Sequence, residues 1–433
     1  MLALMAKAKV RSRLSVSPRT LQWARERSLL SLADVAARLR RASITPDTVA
    51  GWERGEGAPS SAQVRTLARI FRVPARWLRY DEPPRVFDDL GLIDFRAGAD
   101  QPLTEPSQNL RSAIEHALAV QAWMVEYRER EGYDRVALVG ARSSKEPPTK
   151  VAKYLRERFE VERLRAEAKD GKELFDKLRA RAQDEGVLVL RIGHVANKTT
   201  WALDPDEFKG FTLIDDDQLA PLIFVNRKDL DEAQLFTLAH ELAHVVTGGA
   251  GVSNEDIAEV DEDRPTVERW CDQVAEELLL PAKAFERAWA GARGLDSAQV
   301  AEIASSLKVT AVVVARRAVT SGHATARALN GYVEAQRRQA AATRAKAKQK
   351  PKKGGPGPKQ TLPGRYGQDV VRLMASSAVA GRSSGTEALD LLGVSFKTAK
   401  GLAGPELRTS TAGSEPRPEP KRYPLVELKN GWR

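Results

Sequence analysis

The spacing of apolar residues divides the chain into helical and strand-forming parts. Over residues 18–80, and again over residues 81–184, apolar positions recur three and four apart, which predicts amphipathic helices. After Gly186 the pattern changes to short β-rich runs: VLVLRIG at 187–193, GFTLI at 210–214 and PLIFVN at 221–226. Gly, Pro, Asp and Asn bound these runs, so we expect three strands there.

Capping residues mark the helix ends in the first part. Ser31 and Asp34 are three apart and form a capping box, in which each side chain bonds the backbone N–H of the other. Thr45 followed by Pro46 predicts an N-cap and a first helical turn, and Gly55 predicts the end of that helix. One more helix is expected, with a single apolar face: Val64, Leu67, Ala68 and Phe71.

A further predicted helix, within LDEAQLFTLAHELAHVVTGG, carries two of the five histidines. Residues four apart lie on the same helix face, so His240 and His244 can present both imidazoles to one ion. Glu241 can reach a water held beside that ion. Zinc favours two imidazoles and an oxygen ligand, and a nearby carboxylate can act as general base. The segment therefore predicts a metal site with a catalytic glutamate.

A third ligand is needed, because a catalytic zinc usually takes three protein ligands. The acid-rich segment that follows offers many carboxylates. Glu268 is preferred because Glu268 and Asp272 lie four apart on a predicted helix, so one can bind metal while the other orients a histidine. Glu262 and Glu276 are the alternative ligands. Cys271, between the preferred pair, is expected to pack as an apolar residue.

Residues 185–290 resemble the ImmA/IrrE family of metallopeptidases, on the segments GFT, IFVN, FTLAHELAH and ERWCDQVAEELLLP in that order. The resemblance implies a zinc-dependent endopeptidase that cuts a repressor or other regulatory protein, commonly in stress control. It also implies that His240, His244 and Glu268 bind the metal and that Glu241 is the base. Manganese is the alternative metal, because it also fits oxygen-rich sites.

Residues 18–80 resemble Xre-type, lambda-repressor-like helix-turn-helix domains, on the segments SLADVA, ITPDTVAGWERGEGAPS and LARIFRVPARWL. Such domains are often fused in front of these peptidases, and they place a recognition helix in the DNA major groove. The resemblance implies DNA contacts at Thr45, Asp47, Thr48 and Arg54. Asp47 and its neighbours stand where Arg, Asn or Gln would read bases, so a fold used for protein contacts is the alternative.

The net charge of +11 says little about the folded domains, because one short segment carries most of the excess. Of the 433 residues, 336–360 alone hold nine Lys and Arg and no acid. This segment is rich in Ala, Pro and Gly and has no hydrophobic period, which predicts a flexible basic linker. Residues 18–80 carry twelve arginines against five acids, enough to grip phosphates. The single cysteine and the lack of a long apolar run favour a cytoplasmic protein without a membrane span.

The expected fold is multidomain: an all-α helix-turn-helix domain followed by an α+β, zincin-like metallopeptidase domain with additional helices. In chain order we expect a basic arm (1–17), the helix-turn-helix domain (18–80), a helical connecting region (81–184) and the peptidase domain (185–290). A helical extension (291–335), the basic linker (336–362) and a small helical segment with a disordered tail (363–433) follow. His116, in the connecting region, is expected to be packed.

The expected function is proteolysis of a protein partner; the alternative is a non-cleaving transcriptional regulator or antitoxin with a peptidase-like sensing domain.

Overall fold

The chain forms two compact units in a computed structural model, residues 1–90 and residues 91–433. The residues that the structure describes are 16–28, 30–39, 43–71, 73, 77–82, 93–94, 106–195, 201–249, 251–253, 266–290, 294–349, 356–381 and 385–403. The predicted basic arm lies almost wholly outside them, as does the predicted tail beyond residue 403.

Short helices build the first unit: α1 (Pro18–Arg27), α2 (Leu32–Leu39), α3 (Pro46–Arg54), α4 (Ser61–Phe71) and a 3₁₀ turn (Trp77–Arg79). Their inner faces enclose one apolar core, to which Val35, Val49 and Leu67 belong. Arg25 on α1 forms a bidentate ion pair with Glu53 on α3, at 2.8 and 2.9 Å. This pair fixes α1 against α3 at the edge of the core.

The predicted caps of this unit are confirmed. The hydroxyl of Ser31 accepts from the backbone N–H of Asp34 at 3.1 Å, and the carboxylate of Asp34 accepts from the backbone N–H of Ser31 at 2.9 Å. Thr45 caps α3, which has Pro46 in its first turn. Gly55 ends α3 with a φ of 80°, a left-handed conformation that costs glycine little.

A five-stranded mixed sheet lies in the second unit, in the order β1-β5-β3-β4-β2. Its strands are β1 (Ile93–Asp94), β2 (Leu188–Ile192), β3 (Gly210–Leu213), β4 (Leu222–Asn226) and β5 (Gly251–Ser253). The pairs β2–β4 and β1–β5 are parallel, and β3 runs antiparallel to β4 and β5. Strands β2, β3 and β4 confirm the three predicted strands. The other two are too short for an alternating pattern to reveal them.

Helices form the rest of this unit: α5 (Gln108–Arg130), α6 (Pro148–Arg158), α7 (Val161–Glu167), α8 (Gly171–Asp184), α9 (Gln234–Thr247), α10 (Thr266–Leu279), α11 (Ala282–Trp289), α12 (Ser297–Leu307), α13 (Ala311–Thr320), α14 (Ala326–Gln349), α15 (Pro358–Tyr366), α16 (Gln368–Val379), α17 (Gly385–Leu392) and α18 (Phe396–Lys400). Helix α9 packs on α8 and α10, and α10 also packs on α6 and α13. One apolar core includes buried residues from Val136 to Val333. The expected connecting region and helical extension therefore contribute to the same core as the peptidase segment.

Alternation along β3 and β4 gives the sheet two different faces. Thr212 is paired with Ile223, and their face is covered by α9. Phe211 is paired with Phe224, and these two rings stack at 4.6 Å on the opposite face, where α5 and α15 lie. Because neighbouring residues of a strand point to opposite faces, side chains on the α9 side cannot touch those on the α5 side.

Residues 336–349 differ from the expected flexible linker, because they continue α14 as a helix. Alanine, arginine, lysine and glutamine dominate this segment, and all four have high intrinsic helix propensity. Residues 350–355 lie outside the described part of the chain. Helices α15 to α18 follow, so the expected small helical segment begins before residue 363, at Pro358.

Among the described helices, none alone is both long and apolar enough to cross a membrane. Only α12 and α13 taken together, with a bend of 104° between them, meet the requirements of length and composition.

Candidate metal centre

Helix α9 supplies the two histidines of the centre. Its residues from Gln234 to Val246 are all buried, and it ends at Gly248, which has a φ of 76°. One helical turn separates His240 and His244 along the chain, so their imidazoles lie on the same face with the Nε2 atoms 3.0 Å apart. The structure therefore brings the two histidines together as their spacing predicts.

Glu268 faces both histidines from α10. Its Oε2 lies 3.2 Å from Nε2 of His240, and its Oε1 lies 3.2 Å from Nε2 of His244. The side chain of Glu268 has no solvent exposure, and neither imidazole has more than 1%. Three buried groups that can bind a metal therefore converge at one point.

This set of groups fits a divalent cation. The carboxylate of Asp272 lies 3.0 Å from Nδ1 of His240 and can only accept a hydrogen bond, so Nδ1 carries the proton and Nε2 presents a lone pair. That lone pair faces a carboxylate and a second imidazole, an arrangement that a positive ion stabilises. Two imidazole nitrogens and a carboxylate are ligands of catalytic zinc at about 2.0–2.2 Å, which puts the ligand atoms roughly 3 to 3.5 Å apart.

Glu241 lies next to this cluster and against β3. Thr212 donates its hydroxyl to Oε2 of Glu241 at 2.7 Å, whereas Oε1 is buried and has no hydrogen-bond partner among the described residues. Burial raises the pKa of the Glu241 carboxyl, against the opposing effect of the two imidazoles. Gly210 makes this approach possible, because a Cβ there would lie 2.8 Å from Oε1. The free oxygen can accept a proton beside the metal-binding cluster.

A buried network of charges holds His240. Asp272, which was predicted to orient a histidine, accepts from Arg316 Nη2 at 2.7 Å with its second oxygen. Arg316 lies on α13, donates its Nε to Glu276 at 2.9 Å, and stacks over Phe236 at 4.7 Å. The sequence analysis missed Arg316. The sequence feature that could have revealed Arg316 is the Arg-Arg pair in VVVARRAV, because charged groups within an apolar helix need buried partners.

Cys271 is buried, as expected, but it lies close to the histidines. Its sulfur and one nitrogen of each histidine are within 4.8 Å of one another. Sulfur is therefore a second candidate for the third ligand. Glu268 is the better one, because each of its oxygens faces a different imidazole at 3.2 Å. Burial also raises the pKa of the Cys271 thiol.

Glu276, one of the two alternative carboxylates, and His116 have partners away from this cluster. Glu276 accepts from Arg316, Arg317 and Thr320 at 2.7 to 3.1 Å, so its oxygens are committed to α13. Glu262 lies outside the described residues. His116 is partly buried, with its Nε2 2.8 Å from the hydroxyl of Tyr366.

In the first unit, the predicted DNA contacts lie on α3 and at its ends. Thr45 and Thr48 cap each other, since each hydroxyl accepts from the other's backbone N–H at 3.2 Å. Asp47 is exposed in the first turn. Arg54 is exposed and donates to Glu56 at 2.7 and 2.8 Å. The two threonine hydroxyls therefore act as helix caps, and Arg54 is the one cation of the four residues.

Two family models match the chain. Residues 202–319 match Peptidase_M78, the IrrE N-terminal-like domain, and residues 21–78 match HTH_3, a helix-turn-helix. The chain joins a helix-turn-helix domain to an IrrE-like domain. Both resemblances drawn from the sequence are confirmed, in that order along the chain. No curated protein matches the chain.

The match to the IrrE-like domain continues past residue 290 to residue 319 and so includes α12 and α13. The buried charge network explains why α13 belongs with the metal centre. Arg316 on α13 holds Asp272, and Asp272 holds His240, so the centre is incomplete without α13. Strand β2 precedes the matched residues, yet it pairs with β4 in the same sheet.

We expect Arg316→Met to weaken metal binding by roughly tenfold to a hundredfold, because Asp272 would lose a buried partner and hold His240 less firmly. Competition with a chromophoric zinc chelator measures this affinity in the purified protein. Arg317→Met is the matched control, since Arg317 is also buried but bonds Glu276 and Glu277 instead of Asp272. Equal losses in the two variants would contradict a specific role for Arg316.

Proposed function

We propose that this chain is a metal-dependent endopeptidase that cuts a regulatory protein, with zinc as its metal and manganese as the alternative. The substrate that best suits a peptidase joined to a helix-turn-helix domain is a repressor. The observation that carries the proposal is the carboxylate of Glu241. Thr212 holds one oxygen, and the other, beside the His240 cluster, has no partner among the described residues. Buried carboxylate oxygens are usually hydrogen-bonded, so a free one here supports a chemical role.

Hydrolysis of a peptide bond requires a base that takes a proton from water and an acid that delivers a proton to the leaving amine. Glu241 suits both tasks, because its carboxyl can take up a proton and later release it, and burial raises its pKa. Thr212 fixes Oε2, so the proton is carried at Oε1. A metal ion held by His240, His244 and Glu268 would supply Lewis acidity and lower the pKa of water.

Arginines on the first unit support binding to DNA or to a partner bound to DNA. Several are exposed on its surface: Arg19, Arg38, Arg54, Arg65, Arg69 and Arg79. Guanidinium groups bind backbone phosphates without reading the sequence. Helix α3 itself presents Asp47 and two capping threonines at its start. We therefore propose that phosphate contacts supply most of the affinity of this domain.

Glu241→Gln should abolish proteolysis, because an amide cannot accept the proton, while the ligands and the metal content stay unchanged. The wild type and the variant are each expressed with the repressors encoded nearby, and new protein N-termini are compared by mass spectrometry. We expect cleavage products in the wild type alone. Cleavage by the variant would contradict the role of Glu241. A stable complex between metal-loaded wild type and an uncut partner would favour the non-cleaving regulator or antitoxin.

Metal content gives a test that does not depend on the substrate. Protein purified without chelators should contain about one metal ion per chain, and binding should weaken at acid pH as the histidines protonate. Glu268→Ala should lose most of this affinity, because one of three ligands is removed. Cys271→Ser is the matched control on the same helix and should keep the stoichiometry. If Cys271→Ser lost the metal and Glu268→Ala kept it, the sulfur would be the third ligand.

DNA binding is tested by Arg54→Ala in the full chain, with fluorescently labelled duplex DNA and a titration of salt. If Arg54 contacts a phosphate, the affinity should fall and the slope of log K against log salt should decrease by about 1. Arg372→Ala is the matched control, since Arg372 is another exposed arginine with one carboxylate partner, Asp369 at 3.4 Å. Identical curves for the two variants would remove Arg54 from the DNA interface.

A further inference from the structure

A cavity in the IrrE-containing unit lies on the face of the sheet opposite the metal centre. Its volume is about 140 Å³. Phe224 of β4 and Ile192 of β2 form its floor, Ala113 of α5 lies on one side, and Tyr366 of α15 lies on another. Phe224 points away from α9, because its strand neighbours Ile223 and Val225 belong to the core that α9 covers.

Polar groups in this cavity are held in a defined arrangement. The hydroxyl of Tyr366 donates to the carbonyl of Leu391 at 3.2 Å, so Nε2 of His116 donates to the same hydroxyl at 2.8 Å. Burial, together with the nearby charge of Arg365, lowers the pKa of His116 to about 4. His116 is therefore neutral at pH 7, and it orients Tyr366 without adding charge.

Arg365 supplies the positive charge. It lines the cavity, is partly buried, and has no carboxylate partner among the described residues. Arg227 and Lys228 lie close enough to affect the same surroundings, since both lower the pKa of His194, another lining residue. The acid in the lining, Asp390, is exposed. A partly buried guanidinium that no carboxylate pairs among the described residues favours an anion beside it.

We infer that this cavity binds a small carboxylate with a short hydrocarbon part, held by the guanidinium of Arg365. A guanidinium presents parallel N–H groups that match a carboxylate, which makes Arg365 the anchor. Ile192, Leu203 and Phe224 offer an apolar wall for the hydrocarbon part. A cavity of roughly 150 Å³ accommodates a ligand of benzene size, so a carboxylate of about six heavy atoms fits.

The experiment is calorimetric titration of the metal-loaded full chain with butyrate, and separately with inorganic phosphate. Butyrate should bind with one site per chain at this cavity. Arg365→Met should weaken that binding roughly tenfold to a hundredfold, because the ligand loses a charge-assisted hydrogen bond. Ala113→Leu keeps every charge but fills the cavity, and it should also remove butyrate binding. Arg372→Met is the control for loss of an exposed arginine and should bind butyrate as the wild type does.

Other results would overturn the inference. Carboxylates also bind metal ions, and butyrate bound at the metal centre would survive in both the Arg365→Met and the Ala113→Leu proteins. Phosphate binding tighter than butyrate would contradict the apolar wall. Because Arg365→Met could disturb folding, thermal unfolding is followed with each probe: butyrate should raise the Tm of the wild type and leave that of Ala113→Leu unchanged. A Tm raised equally in both proteins would place the ligand elsewhere.

Discussion

Burial of ionisable side chains between α9, α10 and α13 is the constraint on which the rest of this centre depends. An ionised carboxylate away from water is costly unless a cation or hydrogen-bond donors compensate it. Asp272 and Glu276 meet this requirement through Arg316 and Arg317, and this ties α10 to α13. Glu268 faces two imidazoles at 3.2 Å, where the proposed metal ion would supply the positive charge. Helix packing and the donor set are thus two consequences of one electrostatic requirement.

Local patterns predicted the parts of the centre that follow from helix geometry. The i and i+4 positions placed His240 beside His244, and the same spacing on α10 placed Asp272 behind His240 while Glu268 faces it. Thr212 and Arg316 could not be found in this way. Thr212 is 29 residues from Glu241, and Arg316 is 44 from Asp272, so only the tertiary fold brings these pairs together.

The lack of a hydrophobic period was a poor guide to structure in the C-terminal part of the chain. The basic segment that begins at residue 336 lacks an apolar face, which suggested a flexible linker, yet it is helical to Gln349. A helix needs backbone hydrogen bonds and residues of high propensity, and alanine with basic residues provides the second of these. The absence of an apolar stripe shows only that such a helix is not buried along its length.

Strand β3 physically connects the two faces of the sheet. Thr212, which holds the carboxylate of Glu241, directly follows Phe211. The ring of Phe211 stacks on Phe224, which lines the cavity on the opposite face of the sheet. The proposed metal ligands, in contrast, all lie on α9 and α10. A displacement of β3 would therefore alter the hydrogen bond to Glu241 before it altered the proposed ligand set. Since Gly210 leaves no room for even a Cβ beside Glu241, the position of β3 relative to α9 is tightly limited.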